Sequence, residues 1–471
     1  MASTRKLPPG NPLLARVSAV LGRHVRRGDR LVAGLSGGID SVVLLDLLQR
    51  AAKKIGFELA ALHVNHQISP AAAAWARFCR AYCRRLGVAL TVVKVKVARE
   101  ASLEAAARRA RYAAFATLPA DFVALAHNLD DQAETVLLQL LRGAGVKGAS
   151  AMPVLRREVG GVKGEEQNRF QPAHHLTPPA SRLPPSILRP LLDIPRSAIE
   201  AYAATHNLAW VEDDSNADVR FDRNFVRHRL MPVIAHRYPA YRQTLSRASR
   251  NFADAAHLLD DLAGMDARIE GQRLKIAPLR ALTAARAKNT LRFFLAARGV
   301  TMPNEARLAE CARQLQQPRA GRLVIDLGAH ELRGFGGELQ VIAKVLPVPL
   351  EFSLTWNGGP RLPVPELGAT LIMKKCRGTG ISAEKLKSAP VTVRLRRGGE
   401  RLRPDARRPR RSLKNLMQEA HLPPWLRERL PLLFCGDTLV YVPGIGIDSG
   451  FAAQPGERAI DPAWEPAAKA L

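Results

Sequence analysis

Blocks of apolar and polar positions alternate along the first two hundred residues. An apolar run from Leu31 to Leu35 stops at the turn formers Ser36, Gly37 and Gly38, and an apolar-rich stretch from Ile39 to Leu48 follows. This order predicts a strand, a tight loop and a helix. A basic amphipathic segment from Leu13 to Val25 precedes it as a helix. The alternation then repeats, with strands expected at Leu59 to Val64, Leu90 to Val95 and Phe122 to Ala126, and helices at Ala71 to Leu86, Ser102 to Leu118 and Leu129 to Arg142. Strands alternating with helices of this length imply βαβ units and a mainly parallel sheet. Ligands of such sheets sit outside the carboxyl ends of the strands. The loop at Ser36 to Ser41, the cluster His63 to His66 and the cluster Ala126 to Asn128 all follow strand ends, so they are expected on one rim.

The pattern then breaks. Arg156 to Pro185 has no apolar period and is rich in Gly and Pro, which predicts a mobile insertion. Order returns at Ile187 to Leu192, and Arg196 to Asn207 reads as a helix. In Asp213 to Arg229 acidic cap candidates lead into a basic stretch whose Arg220, Arg223 and Arg227 would share one helix face. Tyr241 to Arg298 has helical spacing broken near Gly271 to Pro278, suggesting a helical middle domain, and Val345 to Pro365 mixes short strands with Pro and Gly. The tail beyond Asp461 is expected to be disordered. These shifts divide the chain into 1–220, an α/β domain with a parallel sheet, 221–345, a helical domain, and 346–465, a small basic α+β domain.

Charge sharpens this division. The 471 residues carry a formal charge of +29, and a pI near 10.9 argues for a polyanionic partner such as nucleic acid. Between Val391 and Leu430 there are 12 Lys and Arg against 4 Asp and Glu. Aromatics are few there, which favours phosphate contact over base stacking, and Trp425 reads as a core anchor. The five cysteines, Cys79, Cys83, Cys311, Cys376 and Cys435, are scattered and odd in number, which fits a reducing cytoplasm better than a disulfide framework. No apolar stretch is long enough for a membrane span, and the start has no signal-peptide core.

Against that basic background, two features carry chemistry. Glycines in the 36–41 loop let the backbone approach a ligand, and the new helix terminus aims amides at it. Ser36 and Ser41 add hydroxyls. Asp40 would repel phosphate unless Mg²⁺ lies between them, and no Lys-Ser or Lys-Thr pair closes the loop as in a P-loop. Secondly, His127, Asp131 and Glu134 are four and three residues apart and would lie on one face, above a stripe of Val136, Leu137, Leu140 and Leu141. Helix capping accounts for Asp130 and Asp131 but not for Glu134. Paired carboxylates at such a rim suit Mg²⁺ or a cationic amine. Arg108 and Arg111 share a helix face and could reach phosphate.

Ser36-Gly37-Gly38-Ile39-Asp40-Ser41 resembles the SGGxDS loop of the PP-loop ATP pyrophosphatases. With HVNH at 63–66, EAAARRARY at 104–112, HNLDDQAET at 127–135, EDDSNADVRFDRN at 212–224, RRGGERLRP at 396–404 and LPPWLRERLPLL at 422–433, the chain resembles the tRNA(Ile)-lysidine synthetase family from about Gly28 to Gly450. The resemblance implies a Rossmann-like PP-loop domain that uses ATP and Mg²⁺ to adenylate the wobble cytidine of a CAU-anticodon isoleucine tRNA. Free L-lysine would then displace AMP, giving lysidine. It implies that Ser36, Gly37, Gly38, Ile39, Asp40 and Ser41 bind the nucleotide and that Asp40 orients the metal. His127, Asp131 and Glu134 would position lysine and the activated base, and Arg111, or else Arg108, would contact adenylate or cytidine. The expected partners are that tRNA and lysine, in the cytoplasm, with a homodimer left open as the oligomeric state. Two departures are Asn128, where many relatives carry a second histidine, and the length of the 156–185 insertion. A tRNA cytidine thiolase is a rival reading, but no CxxC occurs. A nonenzymatic RNA-binding protein would need neither the intact loop nor the acidic rim.

Overall fold

The apolar blocks of the first two hundred residues form the sheet they predict. The computed structural model describes residues 12–95, 103–157, 184–213, 217–317, 323–344 and 351–466. The order is α1 (Pro12–His24), β1 (Arg30–Gly34), α2 (Ile39–Ile55), β2 (Glu58–Asn65), α3 (Ala72–Leu86), β3 (Ala89–Lys94), α4 (Leu103–Ala116), β4 (Phe122–Ala124), α5 (Leu129–Leu141), α6 (Val146–Ala149), β5 (Leu155–Arg156), β6 (Ser186–Leu188) and α7 (Arg196–Thr205). The six strands lie in the order β3-β2-β1-β4-β6-β5. All pairings are parallel except β5 on β6. Strand order reverses beside β1, because the chain steps outward to β2 and β3 and then returns to β4 on the other side. The loop after β1 therefore opens at a topological switch point, where a doubly wound sheet leaves a crevice.

Burial explains why β1 and α2 are central. Leu31, Ala33 and Leu35 alternate into the core, and Val42, Val43, Leu44, Leu45, Leu47 and Leu48 are all fully buried. A helix apolar around most of its circumference must be covered on several sides, and α1, α7 and the sheet residues join α2 in one core cluster. Gly56, in the left-handed conformation, ends α2.

The described residues fall into two compact units, 1–265 with 296–299, and 266–295 with 300–471. The first unit thus extends beyond the sheet domain through α8 (Asp222–Phe225), a π-helical turn (Val226–Leu230), α9 (Met231–Arg237) and nearly all of α10 (Tyr241–Asp266). The break expected near Gly271 is a short hairpin, Ile269–Glu270 with Arg273–Lys275, and it belongs to a five-stranded antiparallel sheet. The middle region is therefore helical with a sheet packed against its helices: Leu291, Phe294, Leu308 and Leu315 share a core with Leu274, Leu332 and Leu339. The C-terminal region carries five- and four-stranded sheets.

Beyond Asp461 the sequence reading needs correction. Arg458–Pro466 is a nine-residue strand paired along Ala369–Arg377, and Trp464 packs beside the C-terminal core. Alternating burial at Ile460 and Pro462 satisfies that sheet although the segment holds two prolines. The basic run is also less open than expected. Arg410 pairs with the fully buried Asp448 and Arg411 with Glu419, leaving Arg407 and Arg408 as the exposed pair. Trp425 is half-buried, edge-on to Phe335. Most of the 156–185 insertion lies outside the described residues, as do Asp214, Ser215 and Asn216 of the 212–224 motif. No helix among the described residues is long and apolar enough to cross a membrane.

Candidate active site at the sheet rim

Ser41 organises the loop. Its hydroxyl accepts the backbone N–H groups of Ser36 and Gly37, each at 3.2 Å, and donates to the Gly38 carbonyl at 2.9 Å. The Ser36 hydroxyl lies 3.1 Å away and accepts the Gly38 N–H. Gly37 has a φ of +95°, and a Cβ there would approach the Val211 side chain to 2.8 Å, so both backbone conformation and space demand glycine. Gly38 precedes α2 without a side-chain cap, so first-turn amides remain for an anion. Beneath the loop, His63 Nδ1 lies 2.9 Å from the Leu35 carbonyl and 3.5 Å from Cys79 Sγ. Burial pushes its pKa down, which suits a neutral structural histidine, and drives the Cys79 thiol up to about 12.

Asp40 turns from the loop towards α5. Its carboxylate accepts the Asn128 side-chain amide at 2.9 Å, and Arg196 lies 3.9 Å away. Burial raises its pKa; Arg196 opposes the shift and the nearby Asp131 adds to it. Asn128 is the helix cap as well, accepting the Asp131 N–H while Asp131 accepts the Asn128 N–H, a reciprocal capping box. One residue therefore fixes both the entry of α5 and the position of Asp40. The sequence places Asn128 at the rim and marks it as a departure from the family pattern, but gives it no bonding role.

The carboxylates are not an open acidic rim. Glu134 is 3% exposed and is gripped by Arg223 at 3.0 Å and by Arg227 at 2.7 and 2.9 Å. Asp131 accepts from both arginines at 3.0 Å. The arginines come from α8 and the π-helical turn, ninety residues downstream. Two carboxylates and two guanidiniums thus form one closed network, as part-buried charges require. Asp130 faces elsewhere, accepting the Arg196 N–H at 2.9 Å and the Arg242 guanidinium. A cavity of about 340 Å³ opens between them, lined by Asn128, Asp130, Glu134, Arg196, Arg227 and Arg242.

Three expectations about helix faces change. His127 precedes α5, whose cap is Asn128, so it is not on the face of Asp131 and Glu134. The buried positions of α5 are Leu129, Gln132, Ala133, Glu134 and Val136, whereas Leu140 and Leu141 are exposed. The polar Gln132 is buried because it bonds Met152 and Ser249. Arg220 precedes α8, pairs with Asp218 and is exposed, so it does not join Arg223 and Arg227.

Burial holds the His127 ring well below its ordinary pKa, assisted by Arg189, Arg223, Arg108 and Arg111, and its Nδ1 is enclosed without a partner. Arg111 is also close enough to depress His66. Arg108 lies over the Tyr112 ring at 5.2 Å. Among the described residues no group of three His, Cys, Asp or Glu side chains could hold a metal ion. Asp40 is thus one carboxylate at an anion loop, a donor set that suits Mg²⁺ shared with substrate phosphates and not an all-protein cage.

Family models match in three places: a PP-loop domain over residues 13–234, a TilS substrate binding domain over 274–340 and a TilS substrate C-terminal domain over 391–464. The chain is 44% identical over 451 residues to the tRNA(Ile)-lysidine synthase of Nitrosomonas europaea, covering 94% of this chain and 93% of that protein. It is 39% identical to that of Azoarcus sp., with coverage of 94% and 93%. Among solved structures, the U34-tRNA thiolase NcsA from Methanococcus maripaludis matches at 19% identity and a TM-score of 0.42, over 51% of this chain and 78% of that one. On near-full-length identity and three ordered domain matches, this chain belongs to the tRNA(Ile)-lysidine synthase family.

Proposed function

We propose that the rim of the parallel sheet is a two-step adenylation and amine-transfer site, and the observation that carries this is the Asn128 bridge. It ties the phosphate loop, through Asp40, to the helix that carries Asp131 and Glu134. As a member of its family the chain is an ATP-dependent tRNA-modifying ligase. It joins L-lysine to the wobble cytidine of CAU-anticodon isoleucine tRNA and releases pyrophosphate and AMP.

In the first step the cytidine carbonyl oxygen attacks the α-phosphorus and pyrophosphate leaves. Loop amides with Ser36, Gly37, Gly38, Ile39 and Ser41 hold the departing pyrophosphate, and Asp40 would hold Mg²⁺, which when bound neutralises phosphate charge. Arg111 contacts the adenylate or the cytidine. In the second step the lysine ε-nitrogen attacks the activated carbon, AMP leaves and the amine loses a proton. Only the free-base amine has a lone pair to donate. The cavity beside Glu134 suits it, because Arg196, Arg227 and Arg242 disfavour a further cation, and a carboxylate of the Asp131–Glu134 network accepts the proton. His127, kept neutral, positions the base. Segment 1–220 would catalyse, with Arg223, Arg227 and Arg242 supplied from the start of 221–345; the rest of 221–345 would place the anticodon arm and 346–465 grip the remainder of the tRNA.

Release of labelled pyrophosphate, with and without CAU-anticodon tRNA, and entry of labelled lysine into that tRNA test the reading. Lysine entry that Asp131→Ala abolishes supports it. ATP cleavage on the tRNA with no lysine entry removes the amine-transfer step.

A further inference from the structure

Arg189 follows β6 directly, and β6 pairs with β4, the strand that ends at Ala124 shortly before His127. It is 2% exposed, and no carboxylate pairs with it among the described residues. Its Nη1 donates to the Pro153 carbonyl at 2.8 Å, its Nη2 reaches the Tyr112 hydroxyl only at 3.4 Å, and its Nε has no partner. A bond of 3.4 Å is long for a guanidinium donor, so the phenol is a loose neighbour. Further positive charge surrounds it. Arg156 lies over the Tyr112 ring at 4.8 Å, and Arg108 both stacks on that ring and donates to its hydroxyl at 3.4 Å. The unpartnered Nδ1 of His127 lies just beyond β4, whose Ala124 pairs in register with Leu188, the residue before Arg189. Burying a cation among cations is costly unless an anion completes the set. Burial and the Arg156 and Arg108 charges accordingly lower the Arg189 pKa, with Tyr112 opposing.

We propose that Arg189, Tyr112 and His127 form a phosphate-binding subsite at the sheet rim, separate from the Ser36–Ser41 loop, that receives a phosphate group of bound substrate. The subsite rests on the adenylation reading of the rim. Exposure is graded across it, from exposed Arg108 through half-buried Tyr112, Arg156 and His127 to buried Arg189, so a phosphate can enter from the open side. There the Tyr112 hydroxyl can turn from accepting to donating, and the Arg189 guanidinium supplies the charge-assisted bonds. The same chemistry fits two sources, a phosphodiester beside the wobble cytidine or the α-phosphate of the nucleotide.

Two binding measurements on full-length Arg189→Gln separate them: CAU-anticodon tRNA without nucleotide, and ATP without tRNA. Glutamine can still reach the Pro153 carbonyl but carries no charge. Loss of a charge-assisted bond predicts about tenfold weaker binding in one arm, with an unchanged thermal midpoint. Loss in the tRNA arm assigns the subsite to RNA, and loss in the ATP arm assigns it to the nucleotide. Both affinities remaining at the wild-type value overturn the proposal. If Arg189→Gln does not fold, Arg189→Lys still decides. A buried lysine titrates at lower pH than arginine, so its affinity relative to wild type should fall between pH 7 and pH 9, and a constant ratio would refute a charged subsite. Pyrophosphate release by the wild type runs alongside; its absence would sink the adenylation reading while both binding arms still report on Arg189.

Discussion

The phosphate loop and the carboxylate pair face the same rim, yet they are built in opposite ways. The loop satisfies itself within six residues: Ser41 binds the amides of Ser36 and Gly37 and the carbonyl of Gly38. The carboxylates are satisfied from far away, Glu134 through Arg223 and Arg227, 89 and 93 residues downstream. A self-contained loop can bind its ligand as folded. The carboxylate network is held by charge balance between separate elements, so its chemistry depends on the docking of α8 and the π-helical turn against α5. π-Helical turns recur at functional sites, and this one places Arg227 where the acids need it.

The largest effect therefore belongs to Glu134→Gln. Removing a 3%-exposed carboxylate leaves two part-buried guanidiniums short of acceptors, a loss on the order of 3 kcal/mol. Denaturant unfolding should show it, and lysine entry should vanish. The double variant Glu134→Gln with Arg227→Gln should recover on the order of 1 kcal/mol or more through the coupling of the pair, without recovering lysine transfer. Recovery of transfer together with stability would show that the network only braces the fold.

The contrast also explains what the sequence made legible. The β1 and α2 apolar blocks, the glycines and Ser41 announce themselves because their interactions are local and periodic. Asp130, Asp131 and Glu134 were recognisable as acids at a helix start, but their partners were not, since nothing local links position 134 to position 227. Spacing even misassigned Arg220, because it presumed a regular helix through a segment that begins at Asp222 and widens at Val226. Leu140 and Leu141 failed for a similar reason: Gln132 and Glu134 occupy the buried face once distant partners satisfy them. The strand at Arg458–Pro466 was hidden by prolines whose missing N–H groups the sheet tolerates. Arg189 carried no periodic signal, and only its position after β6 among other cations marks it.

Asp40 tests the loop side of the comparison. Asp40→Asn should lower tRNA-dependent pyrophosphate release by about two orders of magnitude, the scale of losing one electrostatic contact to a reacting phosphate. Stability should not suffer. Burial raises the Asp40 pKa above its ordinary 3.8, so the folded state binds the proton more tightly than the unfolded chain. Asp40 therefore makes stability fall as pH climbs from about 3.8 through the raised value. The asparagine variant lacks that decline and should match or exceed the wild-type midpoint at pH 7. A less stable Asp40→Asn protein would mean that Asp40 is part of a structural network like that of Glu134.

Arg220 should give the smallest effect. Its side chain is 88% exposed and closes a bidentate contact on Asp218, two residues away, with Nε donating to Oδ1 and Nη2 to Oδ2. Exposed pairs contribute little to stability, and removal leaves Asp218 in reach of water. Arg220→Ala should thus unfold at the wild-type denaturant concentration and transfer lysine normally, whereas Arg227→Ala should lose both. Any weakening of tRNA affinity should be that of one phosphate contact, uniform across tRNA sequences and reducing the salt slope by about 1. A loss of lysine transfer comparable to that of Arg227→Ala would place all three arginines on one functional face, and the division between a local loop and a distant carboxylate network would have to include position 220.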